Sequence, residues 1–361
     1  MDCTPDSWDR KHKVRDRVLT CMAIGVLLCF LWYADGYFSE YSLRILNTIA
    51  IFIILAVSYN VINGVTGQFS LQPNAFLAVG AYTSAILTLS PEEKAISFIL
   101  EPMIWPLSVI SAPFSISLLA AGLISALMAV LLAVPVFRVR GDYLAIVTLG
   151  LGEVIQVVAN NAVSITNGPL GLKALHPYTN LWWSWSICIL TIFFTVRLVN
   201  SSYGRAMKAI REDERAAEAM GVNTFWTKTL ALAFSAFFQG VGGGLLAHLV
   251  TTISPKQFDF LFTFNLLSII VIGGLGSTTG SVIAATLFAW GGEVLRVVEE
   301  PMTVFGYSCE GLPGLRMLIF SVLLIFVMLF AQRGLMGRRE FTWQGLFDLF
   351  SRTTSGWGGA R

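Results

Sequence analysis

Charge is scarce in this chain. Only 13% of its 361 residues are Asp, Glu, Lys or Arg, about half the share of an average soluble domain. With 55% hydrophobic residues gathered in long runs, that scarcity excludes an ordinary water-soluble globule and predicts an integral membrane protein. A net charge of +2 gives no field with which to hold nucleic acid. The three histidines (His12, His176 and His248) lie far apart and no HExxH occurs, so no catalytic or structural metal site is indicated. The five cysteines (Cys3, Cys21, Cys29, Cys188 and Cys309) are odd in number and form no CxxC, which argues against a disulfide framework and against a zinc site. No G-x-x-x-x-G-K-[ST] is present, so the chain has no P-loop with which to hydrolyse ATP itself. Gly274–Gly280 is glycine-rich but lacks the spacing and the strand–helix context of a dinucleotide fingerprint. The basic N-terminal region runs into a full-length apolar stretch with no small-residue cleavage site, unlike a cleavable signal peptide.

What is present is a succession of apolar runs, each near the roughly 20 residues that a spanning helix needs. Ten spans are expected, at about Val18–Ala34, Leu43–Ile62, Ala75–Ser90, Phe114–Phe137, Tyr143–Asn160, Leu181–Val199, Thr227–Val250, Thr263–Gly274, Ser281–Val298 and Gly314–Phe330. Eighteen of the 24 Lys and Arg then fall on one side of the membrane; the exceptions are Arg44, Lys94, Lys173, Lys256, Arg296 and Arg316. The positive-inside rule therefore predicts both termini in the cytoplasm. The expected class is an all-α integral membrane protein of about ten transmembrane helices, with broken or re-entrant glycine-rich segments. A basic tail (1–17) would precede a membrane domain (18–335), and a second tail (336–361) would follow it.

Three places interrupt the apolar pattern. The first two are the glycine-rich breaks Asn63–Gln68, continuing in polar residues to Asn74, and Gly273–Gly280. Irregular backbone at membrane depth is tolerated where protein or a water-filled cavity covers it. The breaks therefore fit either a pathway lining or close packing and tight turns. Asn63, Thr66, Gln68, Gln72 and Asn74 favour the pathway for the first. Within the fifth span, Glu153, Gln156 and Asn160 share a helical face. An intramembrane carboxyl group is costly, so this stripe is expected to line a path, meet a partner subunit or form a buried network. Glu293 and Arg296 are spaced to pair on one helix face, and His248 is expected to be packed rather than to ligate.

The third interruption is the insert Ser201–Val222, within a predicted cytoplasmic loop 200–226. It holds Arg205, Lys208, Arg211 and Arg215 beside Glu212, Asp213, Glu214 and Glu218. Ala206, Ala209, Ile210, Ala217 and Met220 give it a narrow apolar stripe, and Gly221 can end it in a left-handed cap. By charge and periodicity alone, such a short amphipathic helix fits a solvated linker and a docking element equally well.

Four stretches resemble the permease subunits of bacterial ABC importers for branched-chain amino acids, the LivM type: Gly64–Gln68 with Phe76–Tyr82, Arg140–Gly150, Tyr203–Val222, and Val271–Ser277. The resemblance covers most of the chain from about residue 43 to 335. It implies a multi-pass protein of the bacterial inner membrane that is not itself an enzyme and binds no cofactor. It also implies partners: a second homologous permease, two ATP-binding subunits that use the ATP, and a periplasmic substrate-binding protein. Glu214–Gly221 resembles the loop by which ABC permeases engage their ATPase, so Arg205, Arg211, Glu214, Ala217, Glu218 and Gly221 are the implied coupling residues. Ser70-Leu71-Gln72-Pro73-Asn74 departs from the family's usual Ser-Leu-Gly-His/Tyr. This leaves branched-chain amino acids, other neutral amino acids and urea open as cargo. A self-sufficient ion-coupled transporter using Glu153 is the alternative from another class; a membrane-embedded transferase would need a catalytic cluster that the sequence does not show.

Overall fold

The computed structural model describes residues 5–98, 101–139, 141 and 143–299, and beyond these only 302–304, 307–309, 314, 318–319, 321–322, 325–326, 329, 334–337 and 340. The chain divides into two units, Met1–Leu43 with Arg339–Arg361, and Arg44–Arg338. The first contains α1, Pro5–Tyr37, which continues through the basic stretch expected to be a separate tail. In α1, Tyr33 and Tyr37 stack at 4.6 Å, as residues four apart on a helix can.

The second unit is a helical bundle. Its elements are α2 (Glu40–Asn60, beginning in the first unit), α3 (Pro73–Thr88), α4 (Pro91–Ser97), α5 (Phe114–Val136), α6 (Tyr143–Asn161), α7 (Val163–Thr166), α8 (Leu181–Val199), α9 (Ser202–Glu212), α10 (Glu214–Ala219), α11 (Thr224–Val250), α12 (Phe260–Gly273) and α13 (Thr278–Glu299). The centre is the packing of α3, α5 and α11. Small residues set it. A side chain at Gly80 would collide with the Gly240 carbonyl, one at Gly243 with the Leu77 carbonyl, and one at Gly240 with Ser125 of α5. Where no residue has a Cβ, helix backbones can touch, and dispersion contacts replace the hydrophobic drive that lipid does not supply. Hydroxyls bind the same helices: Ser125 Oγ donates to the Phe76 carbonyl at 3.1 Å, and Ser84 and Ser117 pair at 3.2 Å.

Outside this centre the helices present large apolar side chains, among them Leu119, Leu127 and Leu131 on α5, Ile146 and Val158 on α6, and Phe193 on α8. Contiguous exposure on this scale fits lipid and partner helices rather than water. Among the described residues, seven segments are long and apolar enough to cross a membrane: Val18–Tyr37, Glu40–Val65, Phe114–Val136, Tyr143–Asn161, Leu181–Val199, Thr224–Val250 and Pro255–Gly273. The protein is a multi-pass membrane protein.

Ten spans are thus not reproduced as expected. The third, α3, has only 16 residues, short of the span length. The eighth starts eight residues earlier than expected, because the turn Pro255–Phe258 leads directly into α12. The ninth, α13, forms over 22 residues but is not among those seven segments. The tenth, Gly314–Phe330, falls largely outside the described residues. The fold is all-helical as expected, apart from a small antiparallel ribbon that pairs Met302–Val304 with Tyr307–Cys309.

The connections at the far ends of these helices are tied down. Lys94, 1% exposed, donates from Nζ to the carbonyls of Leu107 and Ile110 at 2.8 and 2.5 Å. Leu172 and Ile253 exchange both backbone bonds, each at 2.9 Å. His248 is packed, as expected, between Thr88 (3.2 Å) and the His176 carbonyl (2.9 Å). The turn at Asn167-Gly168-Pro169 forms with Asn167 and Gly168 both left-handed.

Candidate functional site

The insert folds as two helices, not one. Ser201 caps α9 by accepting from the Gly204 amide, and α9 ends at Glu212. Asp213 is extended, and its carboxylate accepts from the amides of Arg215 and Ala216 at 2.8 and 3.1 Å, starting α10. Gly221, at φ +83°, ends α10: its amide bonds to the Glu218 carbonyl and that of Val222 to the Ala217 carbonyl, the left-handed cap read from the sequence.

The kink at Asp213 redistributes the charged pairs that a single helix would make. Arg211 pairs with Glu212 at 3.1 Å rather than with Glu214. Glu214 meets Lys228 of α11 at 2.6 Å, and Lys228 is only 3% exposed. Glu218 accepts from the Thr224 hydroxyl at 2.8 Å. Of the expected apolar stripe, Ile210 and Ala217 are buried, together with Gly204 and Met207, whereas Ala206 is half-buried and Ala209 and Met220 are exposed. The outward face carries Tyr203, Arg205, Lys208, Arg215 and Met220, the last 84% exposed.

Arg211 faces inward. Its Nη1 donates to the Gly64 carbonyl at 3.0 Å. Gly64 belongs to a π-helical turn, Val61–Val65, that prolongs α2 through the expected start of the first break. Asn63 does not break the helix. Its amide accepts from the Ser70 backbone amide at 3.0 Å and donates to the Ser70 carbonyl at 3.3 Å, folding the following loop back onto the turn. The second break, the short turn between α12 and α13, reaches the same place. Asn60 accepts from the Gly276 amide (2.9 Å) and donates to the Ser277 carbonyl (3.0 Å). A Cβ on Gly64 would strike Asn60 Oδ1 and the Gly276 backbone, and one on Gly67 would strike the Arg211 side chain. The two glycine-rich breaks and the insert therefore meet around Arg211. Asn60 and Lys228 were not singled out from the sequence; a lone Asn and a lone Lys within apolar helices are the signals that mark them.

The polar residues of α3 and α6 form a second group. The Leu71 amide donates to Thr148 of α6 at 2.9 Å, which sets α6 against the start of α3. Gln72 is 1% exposed, and among the described residues neither of its amide atoms has a hydrogen-bond partner. Asn74 donates to the Phe258 carbonyl at 3.1 Å, but its Oδ1, close against Gly152, accepts from nothing among the described residues. Next to Gly152, Glu153 is half-buried, and its buried Oε1 has no hydrogen-bond partner among the described residues. Gln156 donates to the Pro255 carbonyl at 3.1 Å. Asn160 is exposed and Gln68 half-buried. Gln72, Asn74 and Glu153 thus gather near the α3–α6 contact, while Gln68 and Asn160 stand apart from any bond that would join them to it. Among the described residues no group of three or more His, Cys, Asp or Glu is placed to hold a metal. Glu293 and Arg296 approach to 3.8 Å, as their spacing predicts.

Residues 41–329 match the family described as the branched-chain amino acid transport system permease component. The high-affinity branched-chain amino acid transport system permease protein LivM of Salmonella typhimurium is 31% identical over 332 residues, covering 82% of this chain and 70% of the relative. Its Escherichia coli K12 counterpart is 31% identical over 320 residues, covering 79% and 68%. The LivH permease protein of Salmonella typhimurium is 23% identical over 338 residues, covering 86% and 97%. No solved structure matches. The chain belongs to the family of branched-chain amino acid transport system permease components.

Proposed function

We propose that this chain is the LivM-type permease subunit of an ATP-binding cassette importer that carries branched-chain or other neutral amino acids across the bacterial inner membrane. The observation that carries the reading is the insert. It is anchored to the bundle by the Glu214–Lys228 pair and the Arg211–Gly64 bond, while Tyr203, Arg205, Lys208, Arg215 and Met220 project outward. A rigid, charged projection with large exposed side chains is a docking element rather than a slack linker. Its partner is an ATP-binding subunit in the cytoplasm, and two such subunits supply the ATP hydrolysis for which this chain has no P-loop.

Similarity to both LivM and LivH supports a pore shared with a second, homologous permease. A periplasmic binding protein delivers the cargo and sets most of its specificity. Gln72, Asn74 and Glu153 are the path or subunit-interface contacts of this chain: buried polar atoms without partners are expensive in a membrane, and a passing zwitterion or a neighbouring permease meets that cost.

The test is purification of the tagged chain with its associated subunits, followed by ATPase measurement with binding protein and a panel of amino acids and urea. Stimulation by leucine, isoleucine or valine supports the reading. Stimulation by urea alone reassigns the cargo, and purification of the chain without any ATP-binding subunit refutes the importer reading.

A further inference from the structure

We infer that Arg211 is the positioning residue through which movement of the insert reaches both glycine-rich breaks. The inference rests on the docking reading of the insert. Gly64 lies at the C-terminal end of the α2 helix and its π-helical extension, where carbonyls lack intrahelical partners and the helix dipole is negative. A guanidinium is suited to that end. It is permanently charged, and its planar fork of donors can bond in two directions at once. Nη1 donates to the Gly64 carbonyl at 3.0 Å and Nη2 donates to the Glu212 carboxylate at 3.1 Å, so one side chain bridges the π turn and the last residue of α9, next to the kink at Asp213.

The second break is attached without a further side chain. Gly64 and Gly276 are in backbone contact, and a Cβ on Gly276 would sit 3.0 Å from Arg211 Nη1. Asn60 holds the Gly276–Ser277 backbone from the other side. Displacing Arg211 therefore acts on the end of α2 and on the turn between α12 and α13 together. Gly67 makes room for the arrangement. It is left-handed, at φ +70°, and its missing Cβ is the space that the Arg211 stem fills. A π turn suits a moving part, since its hydrogen bonding is already offset from that of the α-helix and such turns concentrate at functional places.

The experiment uses the complete complex in vesicles and reads the ratio of amino-acid uptake to ATP hydrolysed, together with retention of the ATP-binding subunits. R211A and G67A are each expected to lower the ratio at least tenfold and to retain those subunits. R211K, which keeps one donor on Gly64, is expected to stay within about threefold of wild type. The R211A/G67A double variant is expected to fall no further than the singles, because both break one link. A ratio within twofold of wild type for R211A, loss of the ATP-binding subunits from R211A, or a double variant that falls by the product of the singles overturns the inference. If R211A does not reach the membrane, R211K and G67A carry the test by the same limits. M220E, on the outward face, reads docking separately. Unchanged subunit retention and uptake in M220E removes the docking reading, whatever the Arg211 variants do.

Discussion

The guanidinium of Arg211 and the carbonyl of Gly64 lie 147 residues apart in sequence and 3.0 Å apart in space. That bond joins the charged insert to the buried end of α2. Lys228 and Glu214 make the second attachment at 2.6 Å. Both set how firmly α9 and α10 are held, and both can be tested by substitution.

Lys228→Ala leaves Glu214 without its buried partner. Breaking a buried pair costs about 3–5 kcal/mol. Here the cost is nearer about 2 kcal/mol, because Glu214 keeps access to water. The Tm of the purified protein in detergent falls by about 4–8 °C. Adding Glu214→Ala restores part of the loss, since it also removes the partly desolvated carboxylate that Lys228 had offset. A double variant no more stable than Lys228→Ala contradicts this.

Gly80→Val drives a side chain into the Gly240 carbonyl at the α3–α11 crossing. The two backbones must separate, at a cost above about 3 kcal/mol, and little folded protein reaches the membrane. Gly150, with open space around it, tolerates the same substitution. Quantitative blotting of membrane fractions compares the two.

Gly221 has open space around it but a left-handed backbone at φ +83°. The penalty for a side chain there is conformational only, about 1 kcal/mol. Gly221→Val frays the end of α10 and lowers uptake. Gly221→Asn, a residue that tolerates this backbone, keeps most of it. Equal uptake by the two variants places the cap outside the coupling element.

Gln72→Leu removes two buried, unpartnered amide atoms and keeps the volume. Stability rises by about 1 kcal/mol, seen as a higher Tm. If Gln72 serves the path, uptake falls at the same time. A stabilised variant with normal uptake means that the amide has no transport role.

Glu93 titrates below the ordinary carboxylate range, chiefly because it accepts from the Ser90 backbone amide in a capping box and further because it meets His176. Its folded value lies below its unfolded one. Between the two, the unfolded state binds more protons, so stability rises with pH and is lost as pH falls through the lowered value. Glu93→Gln, which still accepts at Ser90 but does not titrate, flattens this acid limb in Tm measured against pH.

Membrane class, most helix positions and the left-handed Gly221 cap were legible in the sequence, because apolar run length, turn residues and capping chemistry are local. The first break was misplaced because Asn63 and Gly64 look like helix breakers. Tertiary bonding of Asn63 to Ser70 instead carries the helix on as a π turn. The insert was read as one amphipathic helix. It divides at Asp213, whose carboxylate caps α10, and Glu214 then meets Lys228 of α11, a pairing with no local signature. The inward direction of Arg211 was hidden for the same reason: its partners, Gly64 and Gly276, are brought to it only by the packed bundle. The polar stripe of α6 was visible, but whether each member is bonded, as Gln156 is, or unpartnered, as Glu153 Oε1 is, depends on the Pro255 turn and the start of α3.

The most direct measurement of the central claim is uptake of radiolabelled leucine into vesicles holding this chain with its second permease and ATP-binding subunits, supplied with loaded binding protein. Uptake that requires ATP and survives collapse of the ion gradients is the predicted result. Uptake by vesicles holding this chain alone, driven by an ion gradient without ATP, contradicts it.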